Sequence, residues 1–273
     1  MLRSRIALLA AMGILVAACN SSNEIRKVSP PKSDTSVSET KEEKKKDAAR
    51  IYVELGQRYM EQGKLDFAME NLNKALDRDP NYVDAHTVIG VLYERIGNTK
   101  AAEEHYSKAV QLAPKSGDAN NNYGQFLCAG GKYAQALPYF AAAMADPFYK
   151  TPDIVYANAG SCLMKGGSGH LDEAITDFRK ALEANPRSGV SLFGMADALY
   201  QKEDFFHARA FIQRFEGLGR PDPAALLLAR NIEVKLGHAD TARDYAQRLR
   251  EQFPDSEQVR VLDKTTTSTT EAH

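Results

Sequence analysis

Gly56, Gly90 and Gly124 stand 34 residues apart. Ala68, Ala102 and Ala136 keep the same interval, as do Pro80 and Pro114. A period of this length dictates the kind of architecture. Each unit is one supersecondary element that cannot bury its apolar face alone, so neighbours must stack into a continuous core. Within a unit, Leu55, Tyr59, Leu72 and Ala75 recur at helical spacing and are expected to form the buried stripe. The small residues Gly56 and Ala68 let two helices of a hairpin approach closely. Gly63, Gly97 and Gly131 fall just past the first helix, where a left-handed residue ends it. Pro80 and Pro114 stop the second helix.

The first unit reads Tyr52, Leu55, Gly56, Tyr59, Ala68, Leu72, Ala75, Pro80, and the second Ile89, Gly90, Tyr93, Ala102, Tyr106, Ala109, Pro114. This resembles the tetratricopeptide (TPR) repeat, two antiparallel helices per unit. The resemblance implies an all-α TPR solenoid of about six hairpins in a right-handed superhelix over residues 49–256. The units are expected at 49–82, 83–116, 117–152, 153–188, 189–222 and 223–256. The third has an early proline, Pro147. The fourth carries a loop two residues longer than usual, Gly166-Gly167-Ser168-Gly169. The sixth, with Leu226, Ala229, Gly237, Ala242, Leu249 and Pro254, is the least regular. A short helix from Ser256 to Leu262 is expected to cap the array. Within 257–273, the Thr-rich end from Lys264 is expected to fray.

Ahead of the array lie Arg3 and Arg5, an apolar run of 13 residues from Ile6 to Ala18, and then Cys19. These are the parts of a secretory signal, too short to span a bilayer as a helix. Val16-Ala17-Ala18-Cys19 resembles the lipobox of bacterial lipoproteins. That likeness implies cleavage after residue 18 and lipidation of Cys19 by diacylglycerol and an acyl chain of the palmitate kind. The alternative is a soluble secreted protein with a chance cysteine. Asn20 stands where an Asp usually retains such proteins in the inner membrane, so the resemblance implies the periplasmic face of a Gram-negative outer membrane. Residues 19–46 hold no aromatic and few apolar groups, and are expected to be a flexible tether.

The net charge of -1 gives no electrostatic footprint for nucleic acid. No catalytic constellation is visible, so the chain reads as a non-enzyme with no cofactor beyond its covalent lipid. The six histidines, His86, His105, His170, His207, His238 and His273, read as lying in different repeats or loops, and none forms an i, i+4 pair or a metal-spaced set. What remains is protein binding. The first helices of TPR hairpins line a concave surface. By position the groove candidates are Val53, Gln57 and Met60; Thr87, Val91 and Glu94; Asn121 and Gln125; Ala157, Ser161 and Met164; and Phe193, Asp197 and Tyr200. Val53, Gln57 and Val88 stand where some TPR adaptors carry a Lys/Asn/Arg carboxylate clamp, which argues against such a clamp. Asn120-Asn121-Asn122 reads equally as a binding patch or as one helix cap beside amides that are solvated or bond to neighbouring loops.

Cys128 and Cys162 lie near the ends of the first helices of units three and four, which should be neighbours. An even count in an oxidising compartment favours a disulfide over two buried thiols.

The lipobox and repeats occur together with Asn121-Asn122-Tyr123-Gly124-Gln125-Phe126-Leu127-Cys128, Ala157-Asn158-Ala159-Gly160-Ser161-Cys162 and Leu249-Arg250-Glu251-Gln252-Phe253-Pro254-Asp255-Ser256. Over residues 16–256 this combination resembles the PilF/PilW family of type IV pilus biogenesis lipoproteins. The resemblance implies a monomeric pilotin whose partner is the outer-membrane secretin of the pilus. The alternative is another periplasmic TPR lipoprotein, scaffolding cell-wall enzymes or outer-membrane assembly.

Overall fold

The computed structural model describes residues 40–219 and 222–270. The signal segment, Cys19 and most of the expected tether lie outside the described residues. Six helical hairpins follow one another. They are α1 (Lys41–Glu61) with α2 (Leu65–Arg78), α3 (Val83–Arg95) with α4 (Thr99–Leu112), and α5 (Gly117–Ala129) with α6 (Tyr133–Met144). Then come α7 (Pro152–Lys165) with α8 (Leu171–Ala184), α9 (Gly189–Gln201) with α10 (Phe205–Glu216), and α11 (Pro223–Lys235) with α12 (Ala239–Gln252). A last helix, α13 (Glu257–Thr270), closes the array. No strand occurs among the described residues, and no described helix is long and apolar enough to cross a membrane.

The repeat positions explain the packing. Ala68, Ala102, Ala136, Ala174 and Ala208 are fully buried, as small residues must be where two backbones meet. One turn later on each second helix stand Leu72, Tyr106, Phe140, Phe178 and Ile212, none more than 2 % exposed. These side chains form the spine of the core. Phe178 has the tightest seat. A methyl at Gly160 would sit 2.9 Å from its ring, and one at Gly194 on the next hairpin would collide with it. Only glycine at both places lets the ring lie between α7 and α9.

The inter-helix turns follow the expected chemistry, with one departure. Gly63, Gly97, Gly131 and Gly237 have φ of 73°, 78°, 75° and 81°. At the matching place in the fifth hairpin stands Glu203, at φ 62°. A side chain in this region costs about 1 kcal/mol relative to glycine. The longer fourth loop is accommodated by a single 3-10 turn, Ser168–His170.

Three expectations are corrected. The tether was expected to run to residue 46, but α1 begins at Lys41. Thr40 and Glu43 form a capping box: the Glu43 amide donates to Thr40 Oγ1 (3.2 Å), and the Thr40 amide donates to Glu43 Oε2 (2.6 Å). The Lys/Glu run after it consists of good helix formers, so polarity there does not mean disorder. Leu55, expected in the buried stripe, is 36 % exposed. The C-terminal helix passes Leu262 and continues to Thr270. Val259 and Leu262 are buried, within the same core as residues of α11 and α12.

Candidate binding face

The first helices touch one another in series, α1 to α3, α3 to α5, α5 to α7, α7 to α9 and α9 to α11. Each second helix packs mainly on its own first helix and on the first helix of the next hairpin. The row whose members touch is the shorter one, so the first helices form the inner layer of the curve. The expected groove residues therefore belong to the right layer, but they do not share one fate.

In hairpins one to three half of the expected groove residues are sealed. Val53 (5 % exposed) and Met60 (8 %) are core residues, clustered with Ala85, Val88 and Leu92 of the next hairpin. Thr87 is buried, and its hydroxyl donates to the Val83 carbonyl at 3.1 Å. Asn121 is buried, and its Oδ1 accepts from Asn158 Nδ2 at 2.9 Å across to α7. Val91 is half-buried. Gln57, Glu94 and Gln125 remain exposed. Glu94 also accepts the Tyr106 hydroxyl at 2.9 Å. Burial, then the Glu94 charge, pushes that phenol above the usual tyrosine range. Val53, Met60, Thr87 and Asn121 thus drop out as ligand-facing groups. A neighbouring first helix covers them, which no single helix's periodicity reveals.

The three asparagines have structural uses, among them the expected bonds to a neighbouring loop. Ser116, not an asparagine, caps α5 by accepting from the Ala119 amide at 3.3 Å. Asn120 is 1 % exposed and donates to the carbonyls of Pro114 (3.0 Å) and Ser116 (2.8 Å). It locks the helix start onto the preceding turn. Asn122 donates to the Asp118 carbonyl at 2.8 Å.

In hairpins four to six the face opens. Ala157 is still buried, but Ser161, Met164, Phe193, Asp197 and Tyr200 are all partly accessible. Ser161 donates to the Ala157 carbonyl at 2.7 Å. Phe193 leans against Phe215 with ring centroids 5.9 Å apart, and Tyr200 against Phe205 at 5.5 Å. Between α7, α9 and the start of α11 lies a cleft of about 430 Å³. Ser161, Met164, Lys165, Val190, Phe193, Asp197, Asp222 and Ala224 line it. Burial pushes the Asp197 carboxyl above the usual range, although Gln201 Nε2 donates to it at 3.3 Å. A larger hollow of about 600 Å³ between α10, α11 and α12 holds Glu216 and Arg248. These pair at 3.0 Å, and Tyr245 donates to Glu216 at 2.6 Å, so its polar groups already satisfy one another.

Two clusters escaped sequence reading. His86 and His105 belong to the same hairpin, contrary to the reading that scattered the histidines. Their Nδ1 atoms are 3.1 Å apart, and His86 Nε2 lies 3.1 Å from the Pro80 carbonyl. That carbonyl takes the Nε2 proton, leaving His86 Nδ1 to accept from His105. The register of two antiparallel helices joins residues 19 apart in sequence. Likewise Glu233, only 2 % exposed, meets His238 Nδ1 at 2.6 Å and Arg209 Nε at 2.7 Å, the latter off the hydrogen-bond direction. These are ties between helices rather than reactive sets. Among the described residues no three His, Cys, Asp or Glu side chains converge as metal ligands. Cys128 and Cys162 face each other between α5 and α7 with their sulfurs at bonding distance and their Cα atoms 5.7 Å apart.

Comparison with known proteins agrees with this architecture. Models of the TPR repeat match residues 56–97, and tetratricopeptide-repeat models match 83–116 and 165–225. The type IV pilus assembly protein PilF of Pseudomonas aeruginosa is 31 % identical over 219 residues, covering 79 % of this chain and 85 % of PilF. The chain belongs to the PilF/PilW family of type IV pilus biogenesis proteins. The solved structure of P. aeruginosa PilF superposes with a TM-score of 0.74 at 27 % identity, covering 81 % of this chain and 99 % of that one. PilW, a widely conserved type IV pilus biogenesis factor, superposes with a TM-score of 0.73 at 28 % identity, covering 78 % and 97 %. The TPR array of this PilF/PilW family member is thus a scaffold for protein contacts in pilus biogenesis.

Proposed function

We propose that the protein is a lipid-anchored pilotin for the secretin of the type IV pilus. Cys19 carries the lipid, and the array works at the periplasmic face of the outer membrane. It acts without catalysis and without a cofactor, as a monomer that binds secretin subunits. Several acyl chains hold firmly where one does not, because each buried methylene contributes about 0.8 kcal/mol. Holding subunits at the membrane raises their effective concentration and so favours ring assembly. The observation that carries this reading is the match to PilF across most of the array. The Val16-Ala17-Ala18-Cys19 motif supports the anchor.

Deletion of the gene should leave the secretin largely monomeric on a multimer gel, and surface pili should fall. Cys19→Ser should release the protein from the outer-membrane fraction and reproduce the defect. Secretin that multimerises normally without the protein would refute the pilotin role. Gln57→Lys and Gln125→Lys serve as controls for folding. Both residues are exposed, so each change should alter stability by only about 0.5 kcal/mol.

A further inference from the structure

We propose that the cleft between α7, α9 and α11 docks a peptide segment of a partner protein that carries an apolar side chain beside a lysine or arginine. The inference rests on the scaffold reading above and assigns its contact chemistry.

The first argument is a switch in residue type at one repeat position. Six residues before the small residue of each first helix stand Arg50, Asp84 and Asp118 in hairpins one to three. The same place holds Ile154 and Val190 in hairpins four and five. Both are exposed, Ile154 by 44 % and Val190 by 58 %, and they sit on first helices that touch. Single exposed apolar side chains occur elsewhere in the array, Phe67, Ile96 and Phe206 among them, but here two stand at one repeat position on first helices that touch, and that pairing needs a reason. An apolar rim at a concave hollow supplies one at Val190, which lines the cleft.

The second argument is the hollow itself. Met164, Val190, Phe193 and Ala224 give it an apolar lining, and its volume of about 430 Å³ suits two or three side chains of a peptide rather than a large cofactor. It exists because α9 is drawn down onto Phe178 at Gly194, where a side chain would collide with the ring. Gly189 adds no side chain at the mouth.

The third argument is charge. Asp197 and Asp222 line the cleft, and among the described residues Lys165 is the one cation lining it. Asp222 uses Oδ1 to cap α11 through the Ala225 amide at 2.8 Å. Asp197 makes no ion pair among the described residues, and its described hydrogen bond is the 3.3 Å contact from Gln201. A carboxylate partly withdrawn from water is poorly compensated by one long amide contact. A guanidinium or ammonium arriving with the ligand would supply the missing partner in a charge-assisted contact. An acidic segment would meet two carboxylates instead.

The test uses the full chain, purified in detergent, and blocked nine-residue probe peptides followed by fluorescence anisotropy. One probe alternates leucine with arginine, a second leucine with glutamine, and a third leucine with glutamate. The leucine–arginine probe should bind best and the leucine–glutamate probe worst. Asp197→Asn should weaken the leucine–arginine probe about tenfold, the order expected for one charge-assisted contact, and leave the leucine–glutamine probe unchanged. Val190→Ser should weaken both. Circular dichroism of each variant verifies that the array stays folded. Equal binding of the three probes, or an Asp197→Asn effect confined to the leucine–glutamine probe, would overturn the proposal. These readouts contain no secretin, so they fail or succeed independently of the deletion experiment.

Discussion

Hairpins one to three and hairpins four to six share one repeat but present different inner faces. In the first region the side chains at the fifth position of the motif, Val53, Thr87 and Asn121, are covered by the next first helix. In the second region Ala157 at that position is also buried, but Phe193 in the next hairpin stays partly open and helps to line a cleft. The strict 34-residue spacing accompanies the sealed face. Apart from the early Pro147 at the end of hairpin three, the departures from it, an extended loop at Gly166–Gly169, Gly194 beside Phe178 and Glu203 in a glycine's place, fall in the open region. Regular stacking makes neighbouring helices fit each other and leaves only separate polar side chains, such as Gln57, Glu94 and Gln125, open on that face. Irregular stacking costs some stability and leaves an unfilled surface, which is where a scaffold can bind.

Phe178 joins hairpin four to hairpin five inside the open region, and truncating it should have the largest effect. Phe178→Ala removes a fully buried ring held by α7 and α9, and should cost about 3–5 kcal/mol. Thermal melting followed by circular dichroism should show a lower and broader transition as hairpins four and five uncouple. A loss under about 1 kcal/mol would break the idea that this ring joins them.

The second test concerns a link that does cross the boundary between the two regions, Cys128 to Cys162, which bridges α5 and α7. Protein made in the periplasm, unfolded without reductant, should show no titratable thiol from these two residues. The double serine variant should lose about 2–4 kcal/mol. Two reactive thiols per chain would show that packing alone joins the regions.

The smallest expected effect lies within the sealed region. Burial pushes both His86 and His105 below the usual histidine range, and their mutual repulsion adds to this at His105. Lys108 also lowers His86, while the Pro80 carbonyl and Asp79 oppose, as Glu104 does for His105. The folded state therefore holds fewer protons than the unfolded chain. The stability it brings is fully present above the unfolded pKa of about 6.5 and is lost as pH falls through that value toward the folded ones. His105→Gln should flatten the decline of Tm between about pH 7 and about pH 5. An unchanged slope would show that the pair is not what titrates.

Much of the molecule was legible before any coordinates. Gly63, Gly97 and Gly131 announced the turns because only a residue without Cβ is comfortable at positive φ. Ala68, Ala102 and Ala136 announced the helix crossings because backbones cannot close over larger groups. The start of α1 was also written in the chain, as Thr40 followed by Glu43, but the charge run after it masked that signal. Leu55 was misplaced because its apolar character was read without asking which neighbour would cover it.

The sequence by itself determined the repeat, the hairpins, their turns and the identity of the small residues, since each is a local requirement of backbone geometry. The tertiary structure alone decided which inner-face positions are covered, that His86 meets His105, that Asn121 is spent on Asn158, and that a cleft opens beside Asp197. Those outcomes depend on how closely one hairpin approaches the next. That distance is set by pairs of side chains on different helices, such as Phe178 against Gly194, and no single helix carries it.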